Sequence, residues 1–179
     1  DQLNHITFYW TVLPNPASER YTAAVDSFYA IRKGAGATEL VKTDWTVNVL
    51  NTYSGAAADI IDGDEATWWN SNGNTTSWIA WAEIDMQKLK MIKSIRIACS
   101  HSVKYGYLYA SETQPGSWPG DAPLIGTIVR ETTNWETLFY WDIPLGAPIN
   151  AQYLYLYLSD SHQYGYHLIY EVYLNGYSE

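Results

Sequence analysis

The run Tyr153-Leu154-Tyr155-Leu156-Tyr157-Leu158 alternates without a break. A strand turns successive side chains to opposite faces, so this stretch sets three leucines on one face and three tyrosines on the other. The same period of two recurs outward from it. Ile95, Ile97 and Cys99 share one face against Ser94, Arg96 and Ala98, and Ala82, Ile84 and Met86 oppose Trp81, Glu83 and Asp85. Further strands are predicted over 6–13, 105–111, 125–129, 137–141 and 168–174. Turn-rich stretches at 70–77, 114–117 and 144–148 separate them. Many short strands parted by such turns predict a β-sandwich or barrel. Helical periodicity is weak: a short piece over 56–61, and a stretch over 23–31 that reads as either helix or strand.

Composition narrows the function. The chain has 179 residues, with 10 Lys+Arg against 19 Asp+Glu, for a net charge of −9. Scattered basic residues in an acidic chain give no electrostatic footprint for nucleic acid, and the same charge disfavours anionic lipid surfaces. No apolar run approaches the ~20 residues of a membrane helix, so membrane insertion is not expected. The single Cys99 rules out an internal disulfide framework, which leaves a reducing compartment or a secreted bacterial protein stable without bridges. The chain opens on Asp1, as expected for a mature product or an excised piece of something longer. The 9 Trp and 16 Tyr against 3 Phe are the feature that calls for a function, since Trp and Tyr favour half-wet binding faces.

The organisation predicted is bipartite. Residues 1–40 form an N-terminal extension or the tail of an upstream domain, with a flexible mark at Lys33-Gly34-Ala35-Gly36-Ala37. Residues 41–179 form the β-sandwich.

Five motifs in order carry a family resemblance. The first is Ala58, then Asp62-Gly63-Asp64, then Thr67-Trp68-Trp69 and Ser71. The second is Trp81-Ala82-Glu83-Ile84-Asp85-Met86, and the third Lys93-Ser94-Ile95-Arg96-Ile97. The fourth is Tyr107-Leu108-Tyr109-Ala110-Ser111-Glu112, followed by a loop with Trp118. The last is Ile169-Tyr170-Glu171-Val172-Tyr173-Leu174-Asn175-Gly176. From about Asp44 onward the chain resembles the F5/8 type C (discoidin) domains, and within them the bacterial carbohydrate-binding modules of family 32. The resemblance implies an all-β, galactose-binding-domain-like jelly roll of eight core strands. It also implies glycan recognition as an appendage to a glycoside hydrolase such as a chitobiase, in a secreted, periplasmic or bacterial surface protein. Animal discoidin domains carry a terminal disulfide and spikes for lipid; one Cys and an acidic balance set this chain apart from them.

Two sites follow from the resemblance. It implies a structural Ca²⁺ at Asp62, Asp64, Thr67 and Glu171, oxygen donors of the kind a hard cation takes; on the residues alone, Asp62 and Asp64 equally suit the capping of a tight turn. It further implies a glycan site in the loops at one end of the sandwich. There Tyr164 and Tyr166 are the stacking platform, and His101, Lys104 and His162 the hydroxyl partners. Tyr105 belongs to the same loop set, Asn134 and Gln163 are amide contacts, and Trp135 and Trp78 are secondary rings. Lys104 stands nearest the place of the family's loop arginine and lacks its bidentate fork.

Trp69 and Trp81 match family positions inside the sandwich and are predicted to be core. The row Tyr153, Tyr155, Tyr157 either binds an extended glycan or is covered by the N-terminal segment through Phe8, Tyr9 or Trp10. Catalysis finds little support: no separated carboxylate pair stands out for glycoside hydrolysis, His5, His101, His162 and His167 have no metal spacing, and there is no Gly-x-Ser-x-Gly. The expected function is a non-catalytic carbohydrate-binding module, with glycan and an upstream domain of the same polypeptide as partners. The alternative is a structural or protein–protein module of the same fold.

Overall fold

The computed structural model describes residues 36–71, 79–100, 103–130, 138–161 and 166–177. The chain divides into two units, Asp1–Lys33 and Gly34–Glu179. The first unit lies outside the described residues, and with it the strand expected at 6–13, the stretch over 23–31 that reads as either helix or strand, and the covering role of Phe8, Tyr9 and Trp10.

Among the described residues of the second unit there are ten strands: β1 (Thr38–Glu39), β2 (Thr46–Val49), β3 (Ser54–Gly55), β4 (Trp69–Asn70), β5 (Ala80–Cys99), β6 (Val103–Ser111), β7 (Leu124–Val129), β8 (Phe139–Ile143), β9 (Ile149–Ser161) and β10 (Leu168–Tyr177). All pairings are antiparallel. One layer runs β2–β5–β9–β6–β7, and the other runs β8–β5–β10–β4–β3 with β1 beside the far end of β10. The fold is an all-β jelly-roll sandwich of the galactose-binding-domain-like type.

Strand β5 belongs to both layers. Ala80 to Asp85 pair with Leu158 to Tyr153 of β9, whereas Ile95 to Cys99 pair with β8 and β10. The sequence predicts two strands here, around 81–86 and 94–99. They are continuous because the chain turns a corner instead of leaving the sheet. The corner is marked by a register shift between Asp85 and Lys90 and by Gln87 at φ 63°, whose N–H donates to Asp85 Oδ1 at 2.7 Å.

The alternating faces fall as read. Leu154, Leu156 and Leu158 are buried with Ala82, Ile84, Met86, Ile95, Ile97 and Cys99. Gly106 lets the layers close: a Cβ there would stand 2.6 Å from Ile128 and 3.3 Å from Trp141, which comes from the opposite layer. Trp69 is fully buried and its indole N–H donates to Asn51 O at 2.9 Å, so its one polar atom is satisfied.

Trp81 corrects the prediction. It is half-buried on the outward face of β5, because its neighbours Ala80 and Ala82 take the inward positions. There it joins Tyr155, whose ring centroid is 5.7 Å away. Trp118, from the connection between β6 and β7, stacks on Tyr155 at 4.7 Å with an interplanar angle of 3°, and its indole N–H donates to Glu83. Tyr109 completes the surround, so Tyr155 is buried although it faces outward. Part of the tyrosine row is therefore covered by the sandwich's own loop.

The start of the sandwich also lies earlier than residue 41. Thr38 and Glu39 pair with Gly176 and Asn175, and the Leu40 N–H donates to Leu174 O at 2.8 Å. The short piece expected over 56–61 is a 3₁₀ turn over Ala57–Ile61 that buries Ile60 and Ile61. Asp59 accepts the Ala56 N–H at 2.8 Å and so fixes its first turn.

Candidate functional site

Strand registers gather several strand ends at one end of the sandwich. Asn70 pairs with Leu168, Cys99 with Ile169 and Phe139, Val103 with Ser161, Tyr105 with Val129, and Ala80 with Leu158. The chain leaves and re-enters this end at Ser71 and Ile79, at Ser100 and Val103, at Arg130 and Leu138, and at Ser161 and Tyr166. Of the predicted glycan contacts, Lys104, Tyr105 and Tyr166 are described here. His101, Asn134, Trp135, His162, Gln163 and Tyr164, with Trp78, lie outside the described residues.

A buried polar tie holds this end together. His167 is fully buried; its Nδ1 lies 3.2 Å from Ser71 Oγ and its Nε2 lies 3.0 Å from Asp160 O. The His167 N–H also donates to Ser71 Oγ at 3.0 Å, and the Ser71 N–H returns to His167 O at 3.0 Å. One imidazole thus joins the ends of β4 and β9 to the start of β10. Burial disfavours its charged form and pulls its pKa down to about 4.

Lys104 and Asp160 form the rim. Their ion pair spans 2.8 Å, and the ammonium also lies 5.1 Å from the Tyr105 ring centre. The hydrogen bond to Asp160, and then its charge, hold the Lys104 pKa up. The end of β7 adds a residue absent from the sequence-derived set. The Arg130 N–H donates to Lys104 O at 2.9 Å, and its guanidinium lies 4.2 Å from the Phe139 ring centre. This end of the sandwich therefore does carry a planar guanidinium.

Tyr166 does not stand alone. Its ring lies 5.1 Å from that of Tyr53, tilted by 37°, and Tyr53 is 62% exposed. Trp68, 40% exposed, meets Tyr170 edge-on at 6.5 Å. Trp68 was legible in the doublet with Trp69, since a strand turns one of two neighbours inward and the other outward. Tyr53 gave no signal; it is brought here by the Tyr53 N–H donating to Asn70 O at 2.8 Å.

The Asp62 turn is tied mainly to itself. Asp62 accepts the Asp64 N–H on Oδ1 at 2.8 Å and the Thr67 hydroxyl on Oδ2 at 2.8 Å, and Asp64 Oδ1 accepts the Ala66 N–H at 2.8 Å. Thr67 Oγ1 also lies 2.8 Å from Asp64 O. The structure thus brings Asp62, Asp64 and Thr67 together. Glu171 reaches the turn only through the Gly63 N–H, 2.6 Å from its Oε2, while Lys42 Nζ lies 2.5 Å from its Oε1. Among the described residues no group of three or more His, Cys, Asp or Glu is placed to hold a metal ion. With an ammonium seated on Glu171, the donor set does not fit a calcium ion shared by all four residues.

These features define an all-β jelly-roll sandwich whose described strand ends gather at one end. The chain is similar to the family 32 carbohydrate-binding module of NanJ from Clostridium perfringens, solved in complex with galactose: TM-score 0.63 and 16% identity over 78% of this chain and 98% of that one. It is similar to the C-terminal domain of a chitobiase from Bacteroides fragilis, with TM-score 0.58 and 21% identity over 78% and 98% of the two chains. It is likewise similar to chitosan-binding module 1 of a chitosanase/glucanase from Paenibacillus sp. IK-5, with TM-score 0.59 and 15% identity over 73% and 94%. At these identities the likeness is one of fold. No family model matches the sequence, and no curated protein matches it.

Proposed function

We propose that the chain is a non-catalytic carbohydrate-binding module that holds a larger secreted glycan-processing protein on its glycan. The observation that carries this reading is the loop end of the sandwich. An aromatic pair, the exposed Tyr53 and the half-buried Tyr166, stands at the same end as the Lys104–Asp160 pair and Arg130. A sugar needs a ring face for its apolar C–H side and fixed donors and acceptors for its hydroxyls, and this end supplies both kinds. The fold is shared with a module solved with galactose, with the C-terminal domain of a chitobiase and with a chitosan-binding module of a chitosanase/glucanase, which supports a hexose-based glycan as ligand and a hydrolase as the parent. A secreted or cell-surface location follows from such a ligand. Single-module affinity is expected to be weak, with avidity supplied by repeated sites on the glycan.

Glycan-array binding by the wild-type chain, lost in Tyr166→Ala and weakened in Tyr53→Ala, is the expected result. An array blank for the wild type overturns the reading. The second reading, a protein-docking module of the same fold, rests on the aromatic outer face around Trp81, Trp118 and Tyr157. It gains if the array is blank and Trp81→Ala abolishes binding to the parent's neighbouring domain.

A further inference from the structure

Glu171 is a carboxylate with no exposed side-chain surface, on the central strand of a sheet. Three donors meet it: Lys42 Nζ at 2.5 Å and the Val172 N–H at 3.1 Å on Oε1, and the Gly63 N–H at 2.6 Å on Oε2. Lys42 has only 9% of its side chain exposed, lies 3.1 Å from Glu39 Oε1, and sits 5.1 Å from the Tyr173 ring centre. The ammonium therefore joins the segment after β1 to β10, and through Glu171 to the Asp62 turn.

We infer that Lys42 supplies in this chain the positive charge that a bound cation would supply at Glu171, so that the clamp between the Asp62 turn and β10 works without metal. A buried carboxylate needs a counter-charge and hydrogen-bond donors. Lys42 provides the charge, and the two backbone N–H groups provide the rest. Asp62 and Asp64 meanwhile have their own partners within the turn. A divalent ion coordinated by Glu171 would stand within a few ångströms of the ammonium, where little water screens the repulsion between them. The two cations are alternatives for one place. The position of Lys42 in sequence, twenty residues before the Asp-Gly-Asp turn, hides it from any reading of that motif.

The test is thermal unfolding of the full chain in EDTA and in millimolar CaCl₂. The melting temperature of the wild type is expected to be the same in both. Lys42→Met strands the buried carboxylate and is expected to lower it by on the order of 10 °C. Lys42→Arg is expected to keep most of the stability, and Lys42→Met with Glu171→Gln to recover part of the loss. A wild-type melting temperature that falls in EDTA and returns with calcium overturns the inference, and this arm needs no variant to fold. A Lys42→Met chain as stable as the wild type overturns it as well.

Discussion

His167 offers a pH dependence whose sign and size can be worked from its surroundings. It is fully buried, tied to Ser71 and Asp160, and its pKa falls from 6.5 to about 4 because burial penalises the imidazolium. The unfolded chain therefore binds the extra proton between these two values and the folded chain does not. Stability contributed by this group is complete above pH ~6.5 and is lost as pH falls toward 4. Taking those two pKa values, the loss between pH 7.5 and pH 5 is about 2 kcal/mol, and the full window holds about 3 kcal/mol. Urea unfolding at both pH values, run on the wild type and on His167→Gln, isolates the group, because every other titrating residue is common to both. Burial makes Glu171 run the other way, since a carboxylate with a raised pKa contributes stability that is lost as pH rises, and this too cancels in the difference. The wild-type advantage over His167→Gln is expected to shrink by about 2 kcal/mol on going to pH 5. An advantage unchanged with pH refutes the claim that a buried neutral imidazole ties the loop end.

Other predictions concern the frame around the site. Trp118→Ala removes the stack on Tyr155 and the donor to Glu83, and should cost about 1–3 kcal/mol in urea unfolding, against a few tenths for an idle surface ring. Gly55→Ala and Gly63→Ala separate strain from collision. Both glycines have positive φ, but only a Cβ at Gly55 strikes the Trp68 carbonyl, at 1.7 Å, whereas nothing lies within 4 Å of one at Gly63. Gly63→Ala should cost about 1 kcal/mol and Gly55→Ala clearly more, by the same unfolding assay. Burial pushes the Cys99 thiol up to about 12, so native protein should resist iodoacetamide at pH 8 and react once unfolded, as followed by mass.

Period-two alternation made the sandwich legible, because a strand buried on one face must repeat its apolar side chains every second residue. Tyr153 to Leu158 and Ile95 to Cys99 behave in that way. The corner in β5 was not legible: it rests on one residue at positive φ, Gln87, and no turn-forming pair marks it. Trp81 follows the chain's own alternation, which sets it opposite Ala82 and Ile84, and not the interior family position it matches. Lys42 has no local signature beside the oxygen donors of the Asp62 motif, since it stands 129 residues before its partner Glu171. Tyr53 and Arg130 share that difficulty. They reach the loop end through strand pairing and backbone hydrogen bonds, which only the folded chain displays. Trp118 was noted in its loop, but its seat over Tyr155 depends on tertiary packing that no spacing rule encodes.

The most direct measurement is a titration of ¹⁵N-labelled chain with galactose and with glucosamine-based oligosaccharides, followed by amide chemical shifts. The account predicts saturable shifts at the loop end, at Ser71, Ser100, Lys104, Arg130 and Tyr166, with the amides of β9 around Tyr155 unmoved. No shift with any glycan, or shifts centred on Trp118 and Tyr155 with the loop end silent, would contradict it.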